Sequence, residues 1–175
     1  MSLCRLILGY MGSMVLAHDA VAAIDGINVG LDRLFAAGVV PIDGKDAIVW
    51  LRELEVLRRR VDAAATGLVG AIDRDGLYVD DGHASATVMA KHHAKLSGGE
   101  AAAREKTARA CRDLPKLADA WAHGEIGTDQ MHLLGRVHAN ERVAPAMEAR
   151  QDEFLADAET MSAKQFESKL ASGSG

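Results

Sequence analysis

Cysteine is nearly absent. Cys4 and Cys111 lie far apart in 175 residues and form no CxxC pair. That spacing excludes a zinc site built on thiolates and speaks against a disulfide scaffold. Aromatic residues make up only 4%, while Ala and Leu abound. Strands draw on β-branched and aromatic residues, and Ala and Leu are strong helix formers, so this balance favours helix. The three prolines, Pro41, Pro115 and Pro145, all stand near proposed helix starts, where a missing backbone N–H costs nothing. No sustained period-two alternation signals a sheet. Positive charge is also lacking: 20 Lys and Arg face 25 Asp and Glu, a net charge of −5. Bulk charge therefore cannot hold nucleic acid, and any such role requires a local basic patch. Hydrophobic residues at 49% and charged residues at 26% exclude wholesale disorder.

Residues 1–20 read as an N-terminal apolar extension or helix. Arg5 before an apolar run, with Val15 and Ala17 suited to a peptidase site, also fits a secretory leader. The run is diluted by Gly9, Gly12 and Ser13 and is too short to span a bilayer. Without a leader, the protein is expected in the cytoplasm, with no membrane partner.

The body of the chain, residues 21–170, reads as one helical domain followed by a flexible tail or linker at 171–175. Val21, Ile24, Ile27, Leu31, Leu34 and Phe35 form one stripe, closed by Gly38. A long amphipathic helix over 46–72 follows. Its apolar positions are Ala47, Leu51, Leu54, Leu57, Val61, Ala65, Leu68 and Ile72, spaced by threes and fours. That spacing is close to a heptad, so the helix is a candidate homodimer seam. Arg58, Arg59 and Arg60 read as its solvated face, with Glu55 nearby. Asp73–Gly76 ends it. Further helices are expected from about Ala84 to Ala94, from a Ser97 capping box with Glu100 to Arg112, from Pro115 to Ala122, from a Thr128 cap to Ala139, from Pro145 to about Glu159, and from a second capping box at Ser162 and Gln165. The fold class is all-α: a helical bundle with one long amphipathic helix and two helix-turn-helix-like hairpins.

Those hairpins, 84–112 and 115–139, echo each other, with an apolar residue, Leu96 or Ile126, just before each cap. Charge separates them. Residues 83–112 hold six basic side chains against two acidic ones, a net of +4 inside a chain whose remainder is −9. On the helix opened by Ser97, a stripe of Ala103, Thr107, Ala110 and Leu114 faces the core. Arg109 and Arg112 then point outward, with Lys106 on the flank and Ala101 and Ala102 beside them. Small residues next to outward cations allow close approach to a phosphate backbone. The candidate DNA-binding residues are Lys91, Lys95, Lys106, Arg109 and Arg112. Arg104 lies nearer the core edge and pairs with Glu100.

Enzyme motifs are missing. The seven histidines form no HExxH, and His123-Gly124-Glu125 lacks the PCxxC that a zinc deaminase needs. Asp73-Arg74-Asp75-Gly76 begins like an EF-hand loop but lacks the later acidic ligands. No Walker loop, GxGxxG or GxSxG occurs. His92-His93 reads as a polar helix end, and Cys111 as a small apolar residue. No catalytic residue, metal site or cofactor is therefore expected in this chain.

Several blocks together resemble a known family. They are Asp81-Gly82-His83-Ala84-Ser85-Ala86; Lys95-Leu96-Ser97-Gly98-Gly99-Glu100-Ala101; Asp113-Leu114-Pro115; Gly124-Glu125-Ile126-Gly127-Thr128-Asp129-Gln130; and Val137-His138-Ala139-Asn140. Leu155-Ala156-Asp157-Ala158 and Ser162–Glu167 continue the pattern. In this order, from about Val21 to Leu170, they resemble the actinobacterial domain of unknown function 222. The resemblance implies a helical region that precedes a C-terminal HNH nuclease domain in longer members. No HNH metal finger is present here, so the resemblance implies association with DNA cleavage and supplies no catalytic residue. The expected role is a non-catalytic module that engages DNA. The alternative is a dimerisation or protein-interaction module without DNA binding.

Overall fold

The computed structural model describes residues 3–172, with side chains from Asp19 onward. Residues 1–2 of the expected N-terminal extension and 173–175 of the expected tail lie outside the described residues, and so do the side chains of the leader-like segment. Every regular element described is a helix: α1 Leu3–Ala37, α2 Gly44–Asp75, α3 Ala86–His93, α4 Gly98–Asp113, α5 Pro115–His123, α6 Thr128–His138, α7 Ala144–Ala149, α8 Gln151–Thr160 and α9 Ala163–Ser172. The all-α expectation holds. The chain divides into two compact units, one up to Ile48 and one from Val49.

Local sequence sets the ends of these helices. Gly38 and Gly76 stop α1 and α2 in the left-handed conformation, with φ of +77° and +67°. Asp43 caps α2 by accepting from the backbone N–H groups of Lys45 and Asp46 at 2.7 and 3.0 Å. Ser97 accepts from Glu100 N at 3.1 Å as the spacing predicts, but the box is half formed: Arg104 Nε donates to the Glu100 carboxylate at 3.0 Å instead. Thr128 is not the cap of α6. Gly127 holds that place, and the Gln130 side chain accepts from its N–H at 2.7 Å. The Thr128 hydroxyl is engaged elsewhere, donating to Asp62 at 2.9 Å. The single helix expected from Pro145 to Glu159 is two, broken at Arg150, whose φ of −113° and ψ of 21° leave the helical region. There Gln151 turns its side chain to the N-terminus of α5 and accepts from Lys116 N at 3.1 Å.

The core of the second unit is built by α4 to α9. Leu114, Leu117, Trp121, Ile126, Met131, Leu134, Met147, Phe154 and Phe166 are buried together, and each such side chain contributes on the order of 1.5–3 kcal/mol. α4 is flanked on two sides. A Cβ added at Gly135 of α6 would lie 2.8 Å from Thr107 Cα and 2.9 Å from its backbone N, so α6 meets α4 backbone to backbone. On another side Gly70 of α2 approaches Ala108, whose Cβ would be 3.1 Å from an added Cβ. This double packing corrects the expected phase of α4. Ala101 and Ala108 are buried along with Thr107, Ala110 and Leu114, whereas Ala103 is half-buried.

The phase of α2 is also corrected. Its buried residues are Thr66, Val69 and Gly70. The predicted apolar stripe is split: Leu51, Val61 and Leu68 are 64%, 42% and 62% exposed, whereas Ala47, Leu54, Leu57, Ala65 and Ile72 are half-buried. The inward positions mix apolar and polar groups: Val69 is buried and Ala63 packs on the core, while Asp62 receives Thr128 Oγ1 at 2.9 Å and Arg58 at 3.1 Å, and Arg59 donates to Gly124 O at 3.0 Å.

Gly135→Ala should destabilise the protein by roughly 1–3 kcal/mol, because the new methyl meets a backbone that cannot rotate away. Gly67→Ala, at a helical position with nothing within 4 Å, should stabilise it by up to about 1 kcal/mol. Urea unfolding of both variants checks the pair.

Candidate nucleic-acid interface and the histidine cluster

The five cations singled out in the sequence are all exposed. Lys91 stands in the last turn of α3, and Lys95 in the turn to α4, where it holds a left-handed φ of +54°. Lys106, Arg109 and Arg112 project from α4. Six residues at 100° each place Lys106 and Arg112 about 120° apart on the helix, with Arg109 between them. They cover the arc left free by α2, α3 and α6.

Their ionic surroundings differ. Arg109 pairs with Glu105 one turn earlier and lies 3.6 Å from Asp73 of α2. Arg104 is engaged by Glu100 at 3.0 Å and approaches Asp62 at 3.9 Å. Among the described residues, Lys91, Lys95, Lys106 and Arg112 form no ion pair. The patch therefore consists of four unpaired cations and two neutralised ones.

Lys106 also lines a groove of about 620 Å³ between α4, α6 and α9. Gly99, Ala102 and Ala103 line the α4 side, and His132, Arg136 and Lys164 bring further basic groups from α6 and α9. Glu167 pairs with Arg136 at 2.9 Å, and Asp129 adds one more carboxylate to the wall. Sequence reading missed these three basic residues. His132 and Arg136 are i,i+4 neighbours on α6 and hence share a face, but they lie outside the window of high local charge. A second pocket, of about 340 Å³, is lined by Val143, Met147, Phe154 and Phe166. Four of its rim charges pair, Arg150 with Glu153 at 2.8 Å and Lys169 with Asp157 at 2.6 Å, and Arg142 adds one more cation.

Cys111 packs against the core, and burial pushes its thiol up to about 11, so it is an inert residue. The histidines behave less simply. His83, His92 and His93 present ring nitrogens within 4.8 Å of one another, although the sequence shows only an isolated His and a helix-ending pair. Asp81 accepts from His93, which draws its carboxyl below the ordinary carboxylate range.

The family described as "Domain of unknown function (DUF222)" matches residues 49–171. The chain belongs to that family. The match begins at Val49, where the second compact unit begins, and so leaves out the stretch from Val21 that the block pattern suggests. No curated protein and no solved structure matches the chain.

The partition of the cations is measurable. Arg104→Gln should cost about 1 kcal/mol, because it leaves Glu100 without its partner at a half-buried site. Lys106→Gln, with no partner to lose, should change stability by less than about 0.5 kcal/mol.

Proposed function

We propose that the chain is a non-catalytic helical module that engages DNA through the phosphate backbone. In this reading it is the counterpart of the helical region that precedes the nuclease domain in HNH-type endonucleases of actinobacteria, and it works in the cytoplasm. The observation that carries it is the set of unpaired cations Lys91, Lys95, Lys106 and Arg112 around the α3–α4 hairpin, in a chain whose net charge is −5. Exposed cations without carboxylate partners are free to replace the counterions of a phosphate chain, which is the main source of sequence-independent affinity. Small residues at Gly99, Ala102 and Ala103 leave room for a backbone to approach beside Lys106.

Salt titration of duplex binding tests this. Affinity should fall with rising salt, and each of Lys91, Lys95, Lys106 and Arg112 changed to Gln should lower the slope by roughly 0.9. Arg109→Gln should lower it less, because Glu105 and Asp73 already hold that guanidinium. Wild-type affinity that is absent or independent of salt would overturn the reading.

A second reading rests on the outward stripe of α2. Leu51, Val61 and Leu68 are exposed apolar residues of the 46–72 helix that the chain's own core does not cover, and a second copy of the same helix would bury them. Light scattering should then give twice the single-chain mass of 18.6 kDa. The double change Leu51→Glu and Leu68→Glu should give a folded monomer, because these side chains are exposed in the single chain. A wild-type monomer at high concentration excludes the seam.

A further inference from the structure

We propose that His83, His92 and His93 form a binding site for a divalent transition metal of the zinc class, with the Asp81 carboxylate as its fourth ligand. The three rings come from two segments. His83 lies in the loop after α2, and His92 and His93 are the last residues of α3. The loop is bent towards the helix by its own backbone bonds: Gly82 N donates to Val79 O at 3.0 Å and His83 N to Tyr78 O at 2.9 Å. Gly82 takes a φ of +72° there, which a side chain would resist. Ser85 then caps α3 by accepting from Val88 N at 3.2 Å. The His83 side chain is only 16% exposed and is held between two more exposed partners.

The ring centroids are 4.9, 5.2 and 5.5 Å apart, and the three ligand nitrogens lie within 4.8 Å of one another. His83 Nε2 and His92 Nδ1 are 3.4 Å apart. That is long for a hydrogen bond. It matches the edge of a tetrahedron whose metal–nitrogen bonds are 2.0–2.1 Å, roughly 3.3–3.4 Å. Imidazole nitrogens select zinc, copper and nickel over calcium and magnesium, which prefer oxygen. Asp81 lies 3.1 Å from His83 Nε2 and 2.5 Å from His93 Nε2. Its oxygen faces the same Nε2 atoms that would hold the ion, so it stands as a fourth ligand beside the three imidazoles and offsets the charge of the cation. The bound ion would fasten the 77–85 loop to the end of α3, immediately before the turn that carries Lys95. The site makes no use of the DNA-facing cations and stands whether or not DNA binds.

The test is titration of the untagged full-length protein with Co²⁺ and Zn²⁺. Co²⁺ should bind one per chain at micromolar concentration with an intense visible band, displaced by Zn²⁺, and Zn²⁺ should raise the melting temperature. His92→Gln with His93→Gln should abolish the band while circular dichroism stays helical, since both side chains are exposed. Asp81→Asn should weaken binding by 10- to 100-fold. His123, an exposed histidine beside Asp119, serves as the control, and His123→Gln should change nothing. Lack of saturable uptake by the wild type overturns the proposal. So does uptake that survives the double change or is lost with His123→Gln.

Discussion

The contact between Gly135 and Thr107 is the constraint on which the second unit turns. Two helices whose backbones touch cannot slide or rotate without a clash, so the phase of α4 against α6 is fixed. With Ala108 pressed on Gly70 at another side, α4 has little freedom to rotate. Its solvent-facing arc is then a remainder, whatever α2, α3 and α6 leave uncovered. That arc holds Lys106, Arg109 and Arg112 with few bulky neighbours. The cationic face is thus a consequence of packing as much as of composition.

The polar seam of α2 has a related logic. Trp121 Nε1 donates to Thr128 Oγ1 at 3.3 Å, Thr128 donates to Asp62, and Asp62 also receives Arg58. Stripping a half-buried carboxylate of its partners costs on the order of 1–3 kcal/mol. The network therefore helps set which side of α2 turns inward, together with Val69 and Ala63. Leu51, Val61 and Leu68 are left outward, while the rest of the stripe is half-buried. Hydrophobic periodicity finds the helix here and misjudges part of its face, because it counts apolar residues and takes no account of a half-buried charge that needs partners.

Much of the helix order was legible because caps and stops are local. Ser97, Asp43, Gly38 and Gly76 act on residues within four positions of themselves. The break at Arg150 was not legible, since it depends on Gln151 reaching an element 35 positions away. The cations Lys91, Lys95, Lys106, Arg109 and Arg112 were found by counting charge, and the exposure of Lys106, Arg109 and Arg112 followed from helical phase. Which of them are neutralised was only half legible. Glu105 sits one turn from Arg109 and is visible in the sequence, but Asp73 belongs to α2. The histidine cluster was hidden for the same reason: a loop must fold back before His83 meets His92 and His93, and no spacing rule encodes that return.

The two proposed roles reinforce each other physically. The four unpaired cations of the α3–α4 hairpin correspond to a salt slope of roughly 3.6 in magnitude, which means weak, sequence-independent association. The net charge of −9 on the remainder lowers this further by repelling phosphate. Pairing two copies through the outward stripe of α2 would double the number of cations on one assembly. The second set would then meet the same duplex at a high effective concentration instead of from bulk solution. A chain with so modest a basic patch gains more affinity from dimerisation than from one further lysine, because another cation adds one phosphate contact while a second copy adds four and removes most of their association cost.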